Sequence, residues 1–226
     1  MATVALSLGL LQACGGGGSS SDPEPVKPSS YDLQAAMTQY YTKAQTWSLS
    51  GTSGTVPVSA VLSLTPKTGT AVFPVNGKSY AYTLQEMKLS ANGQSTTSSS
   101  ELFFDAALVQ TEANSSRSDG ACELAQTKGS FSRSAKVGDT GSNGSGVEYV
   151  SCAFGAAVEA NYVDTWQVKE EGGRVLLCLN RSSKVVATGF NRVGAQCHQL
   201  LADGSLGSFM SISYVSEDGS VAMKTP

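Results

Sequence analysis

His198 is the only histidine in the chain, and it follows Cys197 directly. A thiol beside an imidazole is the smallest arrangement that could make a thiolate nucleophile. Neighbouring residues of a strand point to opposite faces, however, so the pair would be split if this segment is extended. We read His198 as an ordinary strand histidine. A single histidine also rules out any zinc centre built on two or three of them. Serine chemistry without histidine would need a Ser-x-x-Lys, and none of the ten lysines has a serine three residues before it. Nor does a Gly-x-Ser-x-Gly elbow precede a helical pattern.

Oxygen-ligand and carboxylate chemistry has little more to stand on. Asp139-Thr140-Gly141-Ser142-Asn143-Gly144 partly resembles the start of a calcium loop, with Asp at position one, Asn at five and Gly at six. It departs from that pattern at position three, Gly141, and at position twelve, Val150, where the bidentate glutamate would stand. A polar loop is expected instead. Glu170-Glu171 is read as the entry to a turn. Trp47 and Trp166 could stack on sugars, but on strands they are expected in the core, with Trp166 sharing a face with Val168. No catalytic residue, metal or cofactor is assigned, and the chain is read as a non-enzyme.

The chain opens with an apolar stretch, Val4 to Leu11, that runs into Leu11-Gln12-Ala13-Cys14. The stretch is far shorter than the ~20 residues a membrane-spanning helix needs, and it suits a signal-peptide core ending in small residues. The tetrapeptide resembles the lipobox of bacterial lipoproteins, although no Lys or Arg precedes the apolar run. The resemblance covers only about the first twenty residues. It implies that 1–13 is a signal peptide and that Cys14 carries a diacylglycerol thioether and an acylated (palmitate-type) amine. Gly15, in place of an Asp, favours the outer membrane.

Residues 14–30 then form a tether. Its glycines, serines and prolines cannot bury enough apolar surface to offset the entropy of ordering, and as a coil it spans on the order of 20 Å. The other four cysteines, Cys122, Cys152, Cys178 and Cys197, are an even number in a chain read as exported, which points to two disulfides. Of three connectivities, Cys122–Cys152 and Cys178–Cys197 close the shorter loops. If Cys178 and Cys197 lay two strands apart in a flat sheet they would be too distant to bond, and the bridge would then have to join two sheets or cross a bend.

A net charge of −3 with only 15% charged residues offers no basic field for nucleic acid or for anionic headgroups. Residues 31–226 are enough for one large or two small cores. Leu33, Ala36, Met37, Tyr40, Tyr41 and Ala44 make an amphipathic helical stripe, with Ser30 as its cap and Asp32 in its first turn. Val56 to Leu64 alternates as a strand. Asn76-Gly77 and Asn92-Gly93 predict type I′ turns in a meander over 70–75, 78–91 and 94–106. The apolar phase shifts between Tyr80–Leu84 and Met87–Leu89, which predicts a bulge near Gln85–Glu86. A seam is expected near 112–120. Strands are expected over 129–137, 147–154, 162–169, 174–180, 184–190, 195–201, 208–215 and 220–224.

The fold class that follows is mainly β, an antiparallel sandwich or barrel-like sheet preceded by one amphipathic helix. Two functions fit. The first is a non-catalytic envelope lipoprotein that works by surface binding or as structure, partnered by the membrane through Cys14 and by an envelope protein or lipid. The second is a carrier of lipid or another apolar ligand. Helix-then-long-sheet order resembles the half-barrels of periplasmic lipoprotein carriers, and its mark would be inward apolar residues left unfilled, with the helix as plug.

Overall fold

The computed structural model describes residues 28–104, 120–153 and 155–226. Cys14, the tether up to Lys27 and most of the expected seam at 112–120 lie outside them. Helix α1 spans Leu33–Thr42, and its stripe is buried at Leu33, Ala36, Met37, Tyr40 and Tyr41. Its cap is Asp32, whose side chain accepts from the Ala35 N–H at 3.0 Å, not Ser30. The cause lies in Tyr31, which exchanges backbone hydrogen bonds with Ala135 and is held extended, so the helix cannot begin before Asp32. Ala44 lies beyond the helix end and is exposed.

Twelve strands follow: β1 Gln45–Ser53, β2 Val56–Pro66, β3 Ala71–Val72, β4 Ser79–Ala91, β5 Gln94–Phe104, β6 Cys122–Lys128, β7 Thr140–Tyr149, β8 Val158–Glu171, β9 Arg174–Val185, β10 Asn191–Leu200, β11 Leu206–Ser216 and β12 Gly219–Lys224. They form one antiparallel sheet, not two packed layers. Its centre is β1 beside β12, with Ser50 opposite Lys224. One wing runs outward through β2 and β4 to β5, and the other through β11, β10, β9, β8 and β7 to β6. Strand β3 extends the line of β2 along the start of β4. Among the described residues the sheet is not closed, and β5 and β6 are its edges.

The sheet must curl around α1. Gln85 on β4 and Gln196 on β10 are five strands apart, ~24 Å in a flat sheet. Both nevertheless bond the Tyr40 hydroxyl, at 3.2 and 3.0 Å. Tyr41 stacks on Phe104 of β5 with ring centroids 4.9 Å apart, while Tyr40 meets His198 of β10 edge-on at 5.3 Å. One core therefore joins the helix to both wings, from Phe104 to Trp166 and Val168. A smaller cluster of Phe73, Phe103 and Cys122 brings together side chains from the two edge strands.

The expected bulge at Gln85–Glu86 is absent: β4 pairs continuously with β2 and β5 through both residues. The phase shift has another cause. Tyr80 and Tyr82 pack into the small cluster on one face of β4, whereas Met87 and Leu89 pack into the main core on the other. Which face is buried changes along an unbroken strand. Asn92-Gly93 does form the expected turn, with φ of 50° and 75°. Asn76-Gly77 does not, because only Gly77 has positive φ and the Asn76 side chain accepts from the Lys78 N–H.

Strands β1 and β6 were not expected. Residues 129–137 are not a strand: Phe131 and Ala135 are buried under the start of α1, where Ser132 accepts from the Leu33 N–H. The segment around Asp139–Gly144 is not a polar loop but the beginning of β7. The two strands expected at 174–180 and 184–190 are the single β9 and its turn. Cys178 and Cys197 therefore stand directly opposite each other on β9 and β10 and form one disulfide, with Cys122–Cys152 the other. Neither a bend nor a second sheet is needed.

Candidate functional site

The helix is shorter than the strands that surround it. Ten residues rise ~15 Å, whereas β9, with twelve, extends ~40 Å. Along the inner face of β9, Val175 and Leu177 are buried in the core that α1 shares, Leu179 is only half-buried, and Arg181 stands beyond the helix end. The space left past Tyr40 and Tyr41 is a cavity of about 470 Å³. That is within the range of small-molecule sites.

Its wall is apolar on the side of β2, β4, β5, β11 and β12. Met87, Leu89, Leu102, Ile212 and Val221 are half-buried there, and Leu62 and Met223 lie beneath. Water against these side chains is unfavourable by ~25 cal/mol per Å² of apolar surface. A hydrocarbon chain would relieve that cost.

Its other end is charged. Asp164 on β8 is directly opposite Arg181 on β9. Arg181 grips it through two parallel bonds of 2.8 Å, Nε to Oδ1 and Nη2 to Oδ2. Arg181 Nη1 lies 2.7 Å from Glu123 and 3.9 Å from Glu148, and the guanidinium sits 4.3 Å above the Tyr162 ring. Arg192 continues the network, 3.4 Å from Glu148 and 2.9 Å from Glu159. Burial opposes the charge of Arg181, but Glu123 and Asp164 outweigh it and hold the guanidinium protonated. Among the described residues, Glu123, Glu148, Glu159 and Asp164 meet Arg181 and Arg192 in this network.

Asn143 stands at the same end because of a bulge. The register of β7 against β8 shifts between Ser142 and Gly144, and Asn143 is the extra residue. It is 7% exposed, lines the cavity, and its amide oxygen has no hydrogen-bond partner among the described residues. Close approach of the strands here depends on glycine. A Cβ on Gly146 would lie 2.1 Å from the Leu124 carbonyl and 2.6 Å from the Tyr162 hydroxyl.

At the helix end, Gln196 donates to the Tyr40 hydroxyl and approaches His198 Nε2 at 2.7 Å, and the Tyr40 hydroxyl reaches Gln85. Burial pushes the His198 imidazole down to about 3 and the Tyr40 phenol up to about 12. Both stay neutral near pH 7, so neither offers proton transfer there.

No protein-family model, curated protein or solved structure matches this chain.

The residues singled out by spacing fall elsewhere. His198 is 1% exposed between Tyr40 and Trp47, while Cys197 faces the outer side, bonded to Cys178 and packed with Leu176. The sheet divides that pair. Trp47 and Trp166 are core residues, and the Trp166 indole donates to the Ser130 carbonyl at 2.8 Å. Asp139 accepts from the Lys136 N–H, closing a turn. Glu171 ends β8 beside Lys169 at 2.6 Å, which holds its carboxyl below the usual range.

Glu123, Asp164 and Arg181 were not singled out, although two of them carry a signal, and Asn143 was named only at position five of the calcium-like segment. Ala160, Tyr162, Asp164, Trp166 and Val168 are one buried phase of β8, and Val175, Leu177, Leu179 and Arg181 one phase of β9. A charge within a buried phase is the informative exception to apolar alternation.

Proposed function

We propose that this chain is an envelope lipoprotein, acylated at Cys14, whose folded part carries an apolar or amphiphilic ligand in the space between helix and sheet. The observation behind this reading is the cavity itself: inward apolar side chains left half-buried, with the helix filling only part of the curl. The buried cores of domains are packed densely, with few voids larger than a water. Space of this size, lined by aliphatic side chains on one side and by charge on the other, fits a ligand with both characters.

The test is native mass spectrometry of the full chain carrying Cys14→Ser, exported to an oxidising compartment and purified without detergent. Extra mass that leaves on denaturation and proves to be a lipid or other amphiphile is the expected result. A bare monomer that also fails to take up added amphiphiles would sink the carrier reading. Comparison with the unaltered chain tests the anchor. The unaltered chain should fractionate with membranes and the variant should not.

A second reading, action through the outer surface, has one specific observation behind it. Val163, Val193 and Val215 are 52%, 46% and 41% exposed and follow one cross-strand row of the outer face through Ser182. A bare chain together with co-purification of an envelope partner that is lost on Val193→Lys would favour it.

A further inference from the structure

The charged end of the cavity selects the polar group of whatever enters, an inference that rests on the carrier reading. Three observations bear on it. First, the nitrogens of Arg181 are committed: Nε and Nη2 to Asp164, Nη1 to Glu123. An anionic headgroup would have to compete with two carboxylates already in contact, with Glu148 3.9 Å away. Secondly, two carboxylates, Glu123 and Asp164, line the cavity beside Arg181. Thirdly, the bulge sets Asn143 at the same end with an amide oxygen that no donor of the described residues meets. A buried acceptor left unmet is costly, and a ligand N–H or O–H would relieve that cost.

We propose that the cavity takes an amphiphile whose head is a hydrogen-bond donor, above all a protonated primary amine. Its head sits among Glu123, Asp164 and Asn143, and its alkyl chain runs along Met87, Leu89 and Ile212. A neutral alcohol satisfies the acceptors without the charge and binds second. A carboxylate of the same chain length binds last, since it cannot donate to Asn143 and sets its own charge against Glu123 and Asp164.

The experiment uses the full chain carrying Cys14→Ser, with both disulfides intact, and a fluorescent apolar probe, N-phenyl-1-naphthylamine, bound in the cavity. Dodecylamine, dodecanol and dodecanoate are titrated against it at pH 7, below their micellar concentrations. The amine is expected to displace the probe at a concentration at least about tenfold lower than the alcohol, as a charge-assisted hydrogen bond implies. The carboxylate should be weakest. Glu123→Gln should narrow the gap between amine and alcohol. Equal affinities, or dodecanoate binding tightest, would overturn the headgroup assignment and leave the carrier reading standing. If the probe does not bind and no ligand is detected by calorimetry, the carrier reading falls and the assignment falls with it.

Discussion

Gln196 donates to the Tyr40 hydroxyl across 3.0 Å, tying strand β10 to the last turn of the helix at the point where the cavity begins. The same hydroxyl reaches Gln85 on the far wing at 3.2 Å. One buried phenol thus links both wings of an open sheet and helps to fix how far it curls. Burial holds its pKa at about 12, so the link persists as a neutral hydrogen bond throughout the physiological range.

Tyr40→Phe keeps the ring against Tyr41 and His198 but removes the oxygen. Gln85 and Gln196, both half-buried, then lose a partner. We expect a loss of about 1–3 kcal/mol in denaturant unfolding, with ligand affinity also changed because the wings can part. An unchanged midpoint would mean that the phenol packs without holding.

Arg181→Met removes the positive centre of the network and leaves Asp164, Glu123 and Glu148 close together without it. Removing one partner of a buried ion pair costs about 3–5 kcal/mol. The variant's carboxyls should be harder to ionise when folded than when unfolded, so its deficit at pH 7 should shrink as pH falls and protons are taken up. A deficit independent of pH would show that packing against Tyr162, not charge, is what Arg181 supplies.

His198 gives the wild type an acid dependence of its own. Its folded pKa, about 3, lies below the unfolded value near 6.5, so between these limits the unfolded chain binds a proton that the folded chain refuses. The stability from keeping it neutral is complete above about pH 6.5 and is lost by about 1.4 kcal/mol per unit as pH falls toward 3. His198→Gln should flatten that part of the stability–pH curve. A curve of the same slope in the variant would place the acid sensitivity elsewhere.

The two disulfides should differ in what their loss does. Cys178–Cys197 joins residues already paired across adjacent strands, and Cys122–Cys152 ties the start of edge strand β6 to the loop after β7. Each closes a loop short enough for roughly 3 kcal/mol. The Cys122/Cys152 double serine variant should in addition free a sheet edge and raise aggregation during refolding, measured by light scattering. Equal scattering from both double variants would refute the edge argument.

The mainly antiparallel fold, the helix stripe from Leu33 to Tyr41, the Asn92-Gly93 turn and the two cysteine pairings were legible in the order of residues. The first three depend on neighbours within a few positions or on a parity that repeats along one strand, and the pairings on the shorter loops, of 30 and 19 residues, that they close. The curl was not legible, because it follows from β1 pairing with β12 across nearly the whole folded region, a contact no local pattern encodes. That pairing makes one sheet out of what local patterns leave as either a sandwich or a barrel. The site was hidden for the same reason. Glu123, Asn143, Asp164 and Arg181 come from four successive strands, and only hairpin register together with a one-residue bulge brings them to the end of the cavity. The cavity itself exists because a ten-residue helix is wrapped by strands of which the longer, such as β9, are more than twice its length. Helix and strands each obey local rules, but the empty volume is the difference between their lengths, and that difference takes on meaning only once the open sheet has curled around the helix.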